Sequence, residues 1–173
     1  MIRGEKVCLR PLRRSDLDFL HTYANDPEFE GEYNNFGLKR DRHLLAAFEE
    51  DGLLNARFGN LVVTTSDDQF LGTVSYHPQR YGPEASTAYN IGISLAPEQR
   101  GKGYGSEAQK LLADYLFKTY PIMRVEATTD ITNIAEQRTL EKAGFTREGV
   151  LRKAQWRSGD WHDMVLYSKI RGE

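Results

Sequence analysis

The stretch from residue 88 to residue 129 constrains the fold more than any other part of the sequence. It begins with the alternating run AYNIGISL (88–95), continues through the glycine-rich segment PEQRGKGYGSEA (97–108), and ends in the strand-like run IMRVEATT (122–129). Between these runs, apolar residues recur at helical spacing: Ala108, Leu111, Leu112, Tyr115 and Leu116. A strand, a helix and a second strand in this order predict a crossover that places two parallel strands side by side.

The rest of the chain predicts an α+β fold in a single domain, residues 1–173. At 173 residues with 39% hydrophobic content, the chain suits one buried core. Strand and helix patterns follow in the order β, α, α, β, β, β, α, β, α, β, β. We therefore expect a mixed sheet of about seven strands flanked by about four helices. Two local predictions are a helix cap at Ser15 and a bulge at Gly92.

Charge and composition exclude several classes of protein. The formal net charge of -2 gives no general attraction to nucleic acid or to an anionic membrane. Cys8 is the single cysteine, and neither a CxxC nor an HExxH pattern occurs, so we expect no disulfide within the chain and no metal. The first residues lack the apolar core of a signal peptide, and no apolar run approaches 18 residues, so we expect a cytoplasmic protein.

The glycine-rich segment favours a phosphate ligand. A loop that leaves a strand and enters a helix directs free backbone N–H groups at one point, and Arg100 and Lys102 add cationic donors. Lys102 is followed by Gly103 rather than Ser or Thr, which disfavours a nucleotide triphosphatase loop. A dinucleotide loop, through Gly103, Gly105 and Ala108, and a plain turn with solvated cations stay open as alternatives.

Two motifs in order resemble those of the GCN5-related N-acetyltransferases, the GNAT family. Arg100, Gly103 and Gly105 reproduce its RxxGxG signature. The later segment is similar to the branch that acetylates the N-termini of ribosomal proteins, through Val125, Glu126, Ala127, Asn133, Arg138, Leu140, Glu141, Lys142, Gly144 and Phe145. The opening LRPLRRSDLDFLHTYAND and the closing WHDMVLYSKI also look like that branch, so the resemblance covers nearly the whole chain.

The resemblance implies a GNAT-type sheet that is splayed at a cleft for acetyl-CoA. The residues that it assigns to the cofactor are Ile93, Ser94, Leu95, Arg100, Gly101, Lys102, Gly103, Tyr104, Gly105, Ser106 and Asn133. The backbone of the first three would pair with the pantetheine amides, and the loop would hold the pyrophosphate. Asn133 would contact the pantetheine arm, although a helix N-cap is an equally ordinary role for asparagine.

Transfer of an acetyl group to an amine needs a base, an acid and an oxyanion site. The resemblance places Glu126 beside the cleft as the base; the alternative is a structural carboxylate paired with an arginine. The tyrosine that often protonates the thiolate is replaced here by Leu140, and the usual serine by Glu136. Tyr104 is the candidate acid that remains in the loop, with Tyr89 or solvent as alternatives.

The segment NDPEFEGEYNNFG (25–37) is the candidate acceptor site. Carboxylates among aromatic rings suit a cationic amine, which selects Glu28, Glu30, Glu32 and Tyr33. A solvated connection between two helices explains the same composition. We expect an N-acetyltransferase acting on a small amine or a protein N-terminus, as a monomer or homodimer. A non-catalytic acyl-CoA-binding domain is the alternative.

Overall fold

The computed structural model describes residues 1–38, 42–83 and 86–173, and the side chains of residues 42 and 43 also lie outside the description. The strands are β1 Ile2–Arg3, β2 Cys8–Pro11, β3 Gly59–Thr64, β4 Phe70–Arg80, β5 Thr87–Leu95, β6 Arg124–Asp130, β7 Thr146–Arg157 and β8 Asp160–Ile170. The helices are α1 Arg14–Tyr23, α2 Pro27–Asn34, α3 Arg42–Asp51, α4 Tyr104–Thr119 and α5 Ile134–Lys142.

All eight strands form one mixed sheet in the order β1-β2-β3-β4-β5-β6-β8-β7. Its neighbouring strands are antiparallel except for β5 and β6, which the α4 crossover makes parallel. The predicted fold class and the predicted crossover are confirmed. The structure has one more strand, β1, and one more helix, α2, than the sequence analysis predicted among the residues that are described.

The parallel pair is the point at which the sheet divides. β5 and β6 pair only at Tyr89 with Val125 and at Asn90 with Glu126. After this pair β5 continues to Leu95 in register with β4, whereas β6 continues to Asp130 in register with β8. The two strands therefore diverge and leave a V-shaped gap, which we call the cleft.

Each face of the sheet has its own apolar layer. On one face α4 and α5 bury Leu112, Leu116 and Leu140 completely against the central strands. On the opposite face α1 contributes Leu17 to a smaller cluster that includes Val62 of β3. The central strands are covered on both faces. Successive side chains along each strand therefore point alternately into the two apolar layers.

Helix α2 forms inside the segment that was expected to be a connection. Its N-cap is Asp26, whose carboxylate accepts from the N–H of Glu28 at 2.9 Å, and Pro27 occupies the first helical position. An Asp-Pro pair is a common helix start, so this signal was present in the sequence. Gly31 kinks the helix with a φ of 69°, a conformation that favours glycine.

Two local predictions were wrong. Helix α1 is not capped by Ser15; Arg13 is the N-cap residue, and the Asp16 carboxylate accepts from its backbone N–H at 2.7 Å. Gly92 is not a bulge, because it pairs with Ser75 in unbroken register along β4 and β5. The irregularity in this part of the sheet lies instead at Val63 and Thr64.

A buried ion-pair cluster fixes the N-terminal part of the fold. The Arg10 guanidinium on β2 donates to both carboxylate oxygens of Asp16 in α1, at 2.7 and 2.9 Å, and its Nε donates to Asp68 at 2.7 Å. Burial alone would raise the pKa of Asp16, but hydrogen bonds from Arg10 and from the Arg13 N–H lower it. Asp68 lies in the β3–β4 turn, so one guanidinium connects a strand, a helix and a hairpin.

We predict that Arg10→Ala lowers the free energy of unfolding by about 3 to 5 kcal/mol, because it leaves the Asp16 carboxylate buried without its partner. Arg14→Ala is the control, since the Arg14 side chain is 73% exposed and its 3.3 Å pair with Glu49 lies at the surface. That variant should stay within about 0.5 kcal/mol of the parent. Chemical denaturation measures both values, and equal losses in the two variants would contradict the prediction.

Candidate active site

The glycine-rich loop presents free backbone donors at the start of α4. A short 3-10 turn, Pro97–Gln99, leads into it. Gly101 and Gly103 have φ angles of 75° and 82°, so both positions favour glycine. Gly103 is the N-cap of α4 and provides no side-chain cap, which leaves the N–H groups of the first turn open to an anion.

Three side chains surround this loop. The Lys102 ammonium is exposed and donates to Gln99 at 3.1 Å, and the Ser106 hydroxyl donates to the Gly103 carbonyl at 3.0 Å. Lys6 comes from the turn between β1 and β2; its Nζ lies 3.4 Å from the position that a Cβ would take at Gly103. Lys6 could not be selected from the sequence, because only the fold brings the N-terminal turn to this loop.

The Glu107 carboxylate explains why the N-terminal turn lies here. It accepts from the backbone N–H of Lys6 at 3.0 Å and also from that of Glu5. Glu107 stands in the first turn of α4, where a negative charge is favoured by the helix dipole. The turn that carries Lys6 is thereby attached to the same helix turn that follows the glycine loop.

Gly105 and Tyr104 are packing positions as well as loop positions. A Cβ at Gly105 would come within 3.2 Å of Thr139 in α5 and within 3.7 Å of Ile93 in β5. Tyr104 is half-buried against the main core cluster. The start of α4 is therefore pressed against both β5 and α5, at the floor of the cleft.

The predicted pantetheine strand has a free edge toward the cleft. Ile93 and Leu95 direct their side chains into the core under α4, while Ser94 faces the opposite side of the sheet. Beyond Asn90 the described residues show no pairing of β5 with β6, so its backbone groups on that edge are open. Asn133 lies beyond the end of β6 and caps α5, accepting from the N–H of Glu136 at 3.1 Å.

Arg100 makes contacts different from the predicted one. Its Nε donates to the Leu95 carbonyl at 3.0 Å, and its Nη2 donates to the Phe29 carbonyl of α2 at 2.6 Å. A Cβ at Gly31 would lie 3.4 Å from the same guanidinium. The side chain thus connects the end of β5 to the kinked helix, and its contact with a phosphate stays a prediction.

Glu126 is almost fully buried at the apex of the cleft. Its side chain is 3% exposed and accepts from the Tyr81 hydroxyl at 2.7 Å and from Arg124 Nε at 2.9 Å. The arginine pairing that the sequence analysis gave as the alternative is therefore present. Glu126 pairs in register with Asn90 of β5, so both side chains point to the face of the sheet opposite α4.

A cavity of about 770 Å³ lies on that opposite face, between β3–β5 and the helices α1–α3. We call it the sheet-face cavity. Gly92, Ile93 and Ser94 of β5 form part of its wall, so it borders the predicted pantetheine strand. Three further strand residues line it and were not selected from the sequence, although their alternation with core residues marks them as one face: Asn60, Thr73 and Ser75.

The four predicted acceptor residues do not lie together in one site. Glu30 is buried and lines the sheet-face cavity, whereas Glu28 and Glu32 are exposed and do not line it. Tyr33 is half-buried beneath the Arg157 guanidinium, whose carbon lies 5.3 Å from the ring centroid. The structure thus brings one of the three carboxylates to the cavity.

The Glu136 carboxyl group, between α4 and α5, has a raised pKa. Burial raises its pKa to about 7, and the hydrogen bond that it accepts from Gln109 Nε2 at 2.9 Å opposes only part of this effect. Gln109 itself is 1% exposed, and its Oε1 has no hydrogen-bond partner within the described chain. Leu140, one turn later in α5, is fully buried and serves the core.

We predict that Glu136 makes the stability of the protein fall between about pH 5 and pH 8. Its pKa is higher in the folded state than in the unfolded state, so the folded protein holds the extra proton in this window and loses that advantage as pH rises. Glu136→Gln should be more stable than the parent by about 1 to 3 kcal/mol at pH 8 and equal to it near pH 5. Thermal unfolding across pH measures this, with exposed Glu98→Gln as the control. Parallel pH curves for the parent and Glu136→Gln would refute it.

Comparison with known proteins identifies the family. The family model described as "Acetyltransferase (GNAT) domain" matches residues 6–146. The probable N-acetyltransferase YjcK of Bacillus subtilis is 30% identical over 170 residues, covering 94% of this chain and 93% of that protein. The chain therefore belongs to the GNAT acetyltransferase family, and the predicted resemblance is confirmed.

Solved structures show the same fold. Spermidine N-acetyltransferase from Vibrio cholerae, in complex with CoA and spermine, superposes with a TM-score of 0.81 at 22% identity, covering 96% of each chain. Ribosomal-protein-S5-alanine acetyltransferase from Vibrio fischeri gives a TM-score of 0.76 at 24% identity, covering 99% of this chain and 96% of that chain. These relatives are all named as acetyltransferases and give no support to a non-catalytic domain.

Two kinds of feature are absent from the part of the chain that the structure describes. No group of three or more His, Cys, Asp or Glu side chains within 1–38, 42–83 and 86–173 is placed to hold a metal ion. In the same part of the chain, no helix has the length and apolar character needed to cross a membrane. Cys8 is buried at 3% exposure in β2, as a packed cysteine.

Proposed function

We propose that this protein is an acetyl-CoA-dependent N-acetyltransferase that acts on a primary amine. One observation carries the proposal: the cleft between β5 and β6 adjoins an uncapped helix N-terminus, while the same strand, β5, borders the sheet-face cavity. The helix N-terminus suits a pyrophosphate, and the sheet-face cavity suits an amine acceptor. When bound, acetyl-CoA supplies the activated acetyl group as a thioester.

The chain offers a continuous set of groups that fit the cofactor. The free edge of Ile93–Leu95 would pair with the pantetheine amides as an added strand does. The loop from Gly101 to Ser106, with Lys102 and Tyr104, would hold the pyrophosphate through backbone N–H groups. Lys6 adds a second ammonium beside this loop, and Asn133 borders the far side of the cleft.

Glu126 is the proposed general base. Asn90, its partner in β5, lies one strand spacing from Glu126 and precedes the cavity-lining Gly92 by two residues, so the backbones of Glu126 and Gly92 are about 8 Å apart. A carboxylate and one bridging water can cross that distance and remove a proton from an amine in the cavity. Arg124 and Tyr81 hold the carboxylate in place. Tyr104 is the proposed acid, because Tyr89 is buried with its hydroxyl bonded to the Ala56 carbonyl.

We predict that Glu126→Gln lowers the rate of thiol release from acetyl-CoA with an amine by about 100-fold, with acetyl-CoA affinity unchanged. Glu148→Gln is a matched control, because the Glu148 carboxylate also pairs with Arg124, at 2.6 Å, but lies on β7, away from the cleft. Its rate should stay within about threefold of the parent. A Glu126→Gln rate equal to that of the control would assign the base to another group, and acetyl-CoA binding without thiol release from any amine would refute the enzyme.

We also predict that Lys102→Ala and Lys6→Ala each weaken acetyl-CoA binding by about tenfold, because each removes a cationic donor from the phosphate loop. Lys110→Ala is the control, since Lys110 is exposed on the same helix two turns farther along. Calorimetry with acetyl-CoA at low ionic strength measures the three affinities. If the loop variants bind as the control does, the phosphate does not lie at this loop.

A further inference from the structure

A proton accepted by Glu126 has to leave a buried site before the next turnover. A primary amine carries an extra proton near neutral pH, and it attacks a thioester only after losing that proton. Acetylation of the ammonium form therefore gives an amide, a thiol and one proton that must reach solvent. With Glu126 as the base, this proton passes through a side chain that is only 3% exposed.

The bound substrates would block the open side of Glu126. The amine in the sheet-face cavity and acetyl-CoA in the cleft would both lie toward Gly92, on the C-terminal side of the pair that Asn90 forms with Glu126. Water in the cleft reaches the carboxylate only when these ligands are absent. A proton released during turnover therefore needs a second route to solvent.

Both hydrogen bonds to the Glu126 carboxylate end on one oxygen atom, Oε2. One comes from Arg124 Nε at 2.9 Å and the other from the Tyr81 hydroxyl at 2.7 Å. The described residues donate no hydrogen bond to Oε1, which leaves this oxygen for the amine or a bridging water. The carboxylate can thus accept a proton on one oxygen while the other stays bonded to two side chains.

Arg124 cannot carry the proton away. A guanidinium does not release its proton in a protein. The hydrogen bonds that Arg124 donates to both carboxylate oxygens of Glu148, each at 2.6 Å, raise its pKa further. Arg124 therefore fixes the position of the Glu126 carboxylate, and Tyr81 is its bonded neighbour that can exchange protons.

Tyr81 joins the buried carboxylate to the surface. The residue is 58% exposed and directly follows Arg80, which pairs with Thr87 at the start of β5. This position lies on the N-terminal side of Asn90, opposite to the direction in which the cleft opens. A tyrosine hydroxyl both donates and accepts hydrogen bonds, so it can receive one proton while it gives up another.

We infer that Tyr81 relays protons between Glu126 and solvent. This inference rests on the proposed acetyltransferase function with Glu126 as its base. A half-turn about the terminal side-chain bond exchanges the two carboxyl oxygens and brings the protonated one to Tyr81. Glu126 passes its proton to the Tyr81 oxygen, and the Tyr81 hydroxyl passes its own proton to a water molecule at the surface. Tyr81 does not line the sheet-face cavity, so it acts through Glu126 rather than on the amine.

His77 is a titratable side chain in the same row of the sheet as Glu126. It is exposed and pairs with Asn90, which pairs with Glu126. Two strand spacings, about 10 Å, separate its backbone from that of Glu126. It makes no hydrogen bond to the carboxylate, and His77→Ala distinguishes a relay through this histidine from one through Tyr81.

The test compares Tyr81→Phe with the parent in thiol release from acetyl-CoA, with spermidine, tyramine and a short peptide that begins with alanine as acceptors. The variant keeps the ring beneath Arg124, whose guanidinium carbon lies 5.8 Å from the ring centroid, and removes only the hydroxyl. At low buffer concentration its kcat should fall about tenfold, with acetyl-CoA affinity unchanged. Tyr167→Phe is the matched control, since the Tyr167 hydroxyl also donates to a glutamate, Glu141, but does not contact Glu126.

An added base separates proton transfer from a structural effect. Lutidine, a hindered base that is a poor nucleophile, should raise the kcat of Tyr81→Phe with increasing concentration and leave the parent and Tyr167→Phe unchanged. Heavy water should slow Tyr81→Phe more than the parent, because proton release then limits turnover. Loss of rate without rescue by lutidine would mean that the hydroxyl only orients Glu126. That result, or a rate equal to the parent's, overturns the inference and leaves the acetyltransferase in place.

Failure of the proposed function has a different signature. No thiol release by the parent from any of the three amines would refute the enzyme and the relay together. A parent-like rate in Glu126→Gln would assign the base to another group and remove the need for a relay at Tyr81. Slow turnover that lutidine rescues in His77→Ala, but not in Tyr81→Phe, would assign the relay to the histidine and overturn the inference.

Discussion

The structure depends on the pairing of β5 with β6, which ends after two residue pairs. β5 and β6 share only two registered residue pairs, and each strand then continues along a different neighbour. Parallel strands normally bury both faces and satisfy their backbone groups with each other. Here the pairing ends at Asn90 and Glu126, so polar backbone groups remain open in the middle of the protein. The cleft that would hold an acyl donor is thus a consequence of the sheet topology.

The two faces of the sheet differ in how closely they are packed. The face under α4 and α5 is packed with fully buried leucines, and it supports the loop that begins α4. The opposite face has a smaller apolar cluster under α1 and α3 and leaves room for the sheet-face cavity. β5 belongs to both, because its alternate residues face opposite layers. Ile93 packs in the core, while Gly92 and Ser94 face the sheet-face cavity.

Sequence patterns were sufficient for features that local residues determine. The crossover, the glycine loop with its positive φ angles and the cap at Asn133 all follow from short-range signals. Contacts between distant segments could not be predicted this way. Lys6 reaches the loop only because Glu107 binds the N-terminal turn, and Arg100 binds a helix about 70 residues earlier. The pairing of Asn60 with Ser75 and of Ser75 with Gly92 across three strands depends on the strand register, which alternation alone does not give.

Helix α2 spans the divided sheet and is attached to both halves. Arg100, at the end of β5, donates to the Phe29 carbonyl, and Arg157, which bonds to Asp130 at the end of β6, stacks on Tyr33. A molecule that spreads the two strands must therefore strain one of these attachments or carry α2 with it. Because α2 also lines the sheet-face cavity, a ligand in the cleft that displaced α2 would change the shape of the cavity as well. Any such coupling would be reciprocal, so each ligand would change the affinity for the other by the same factor.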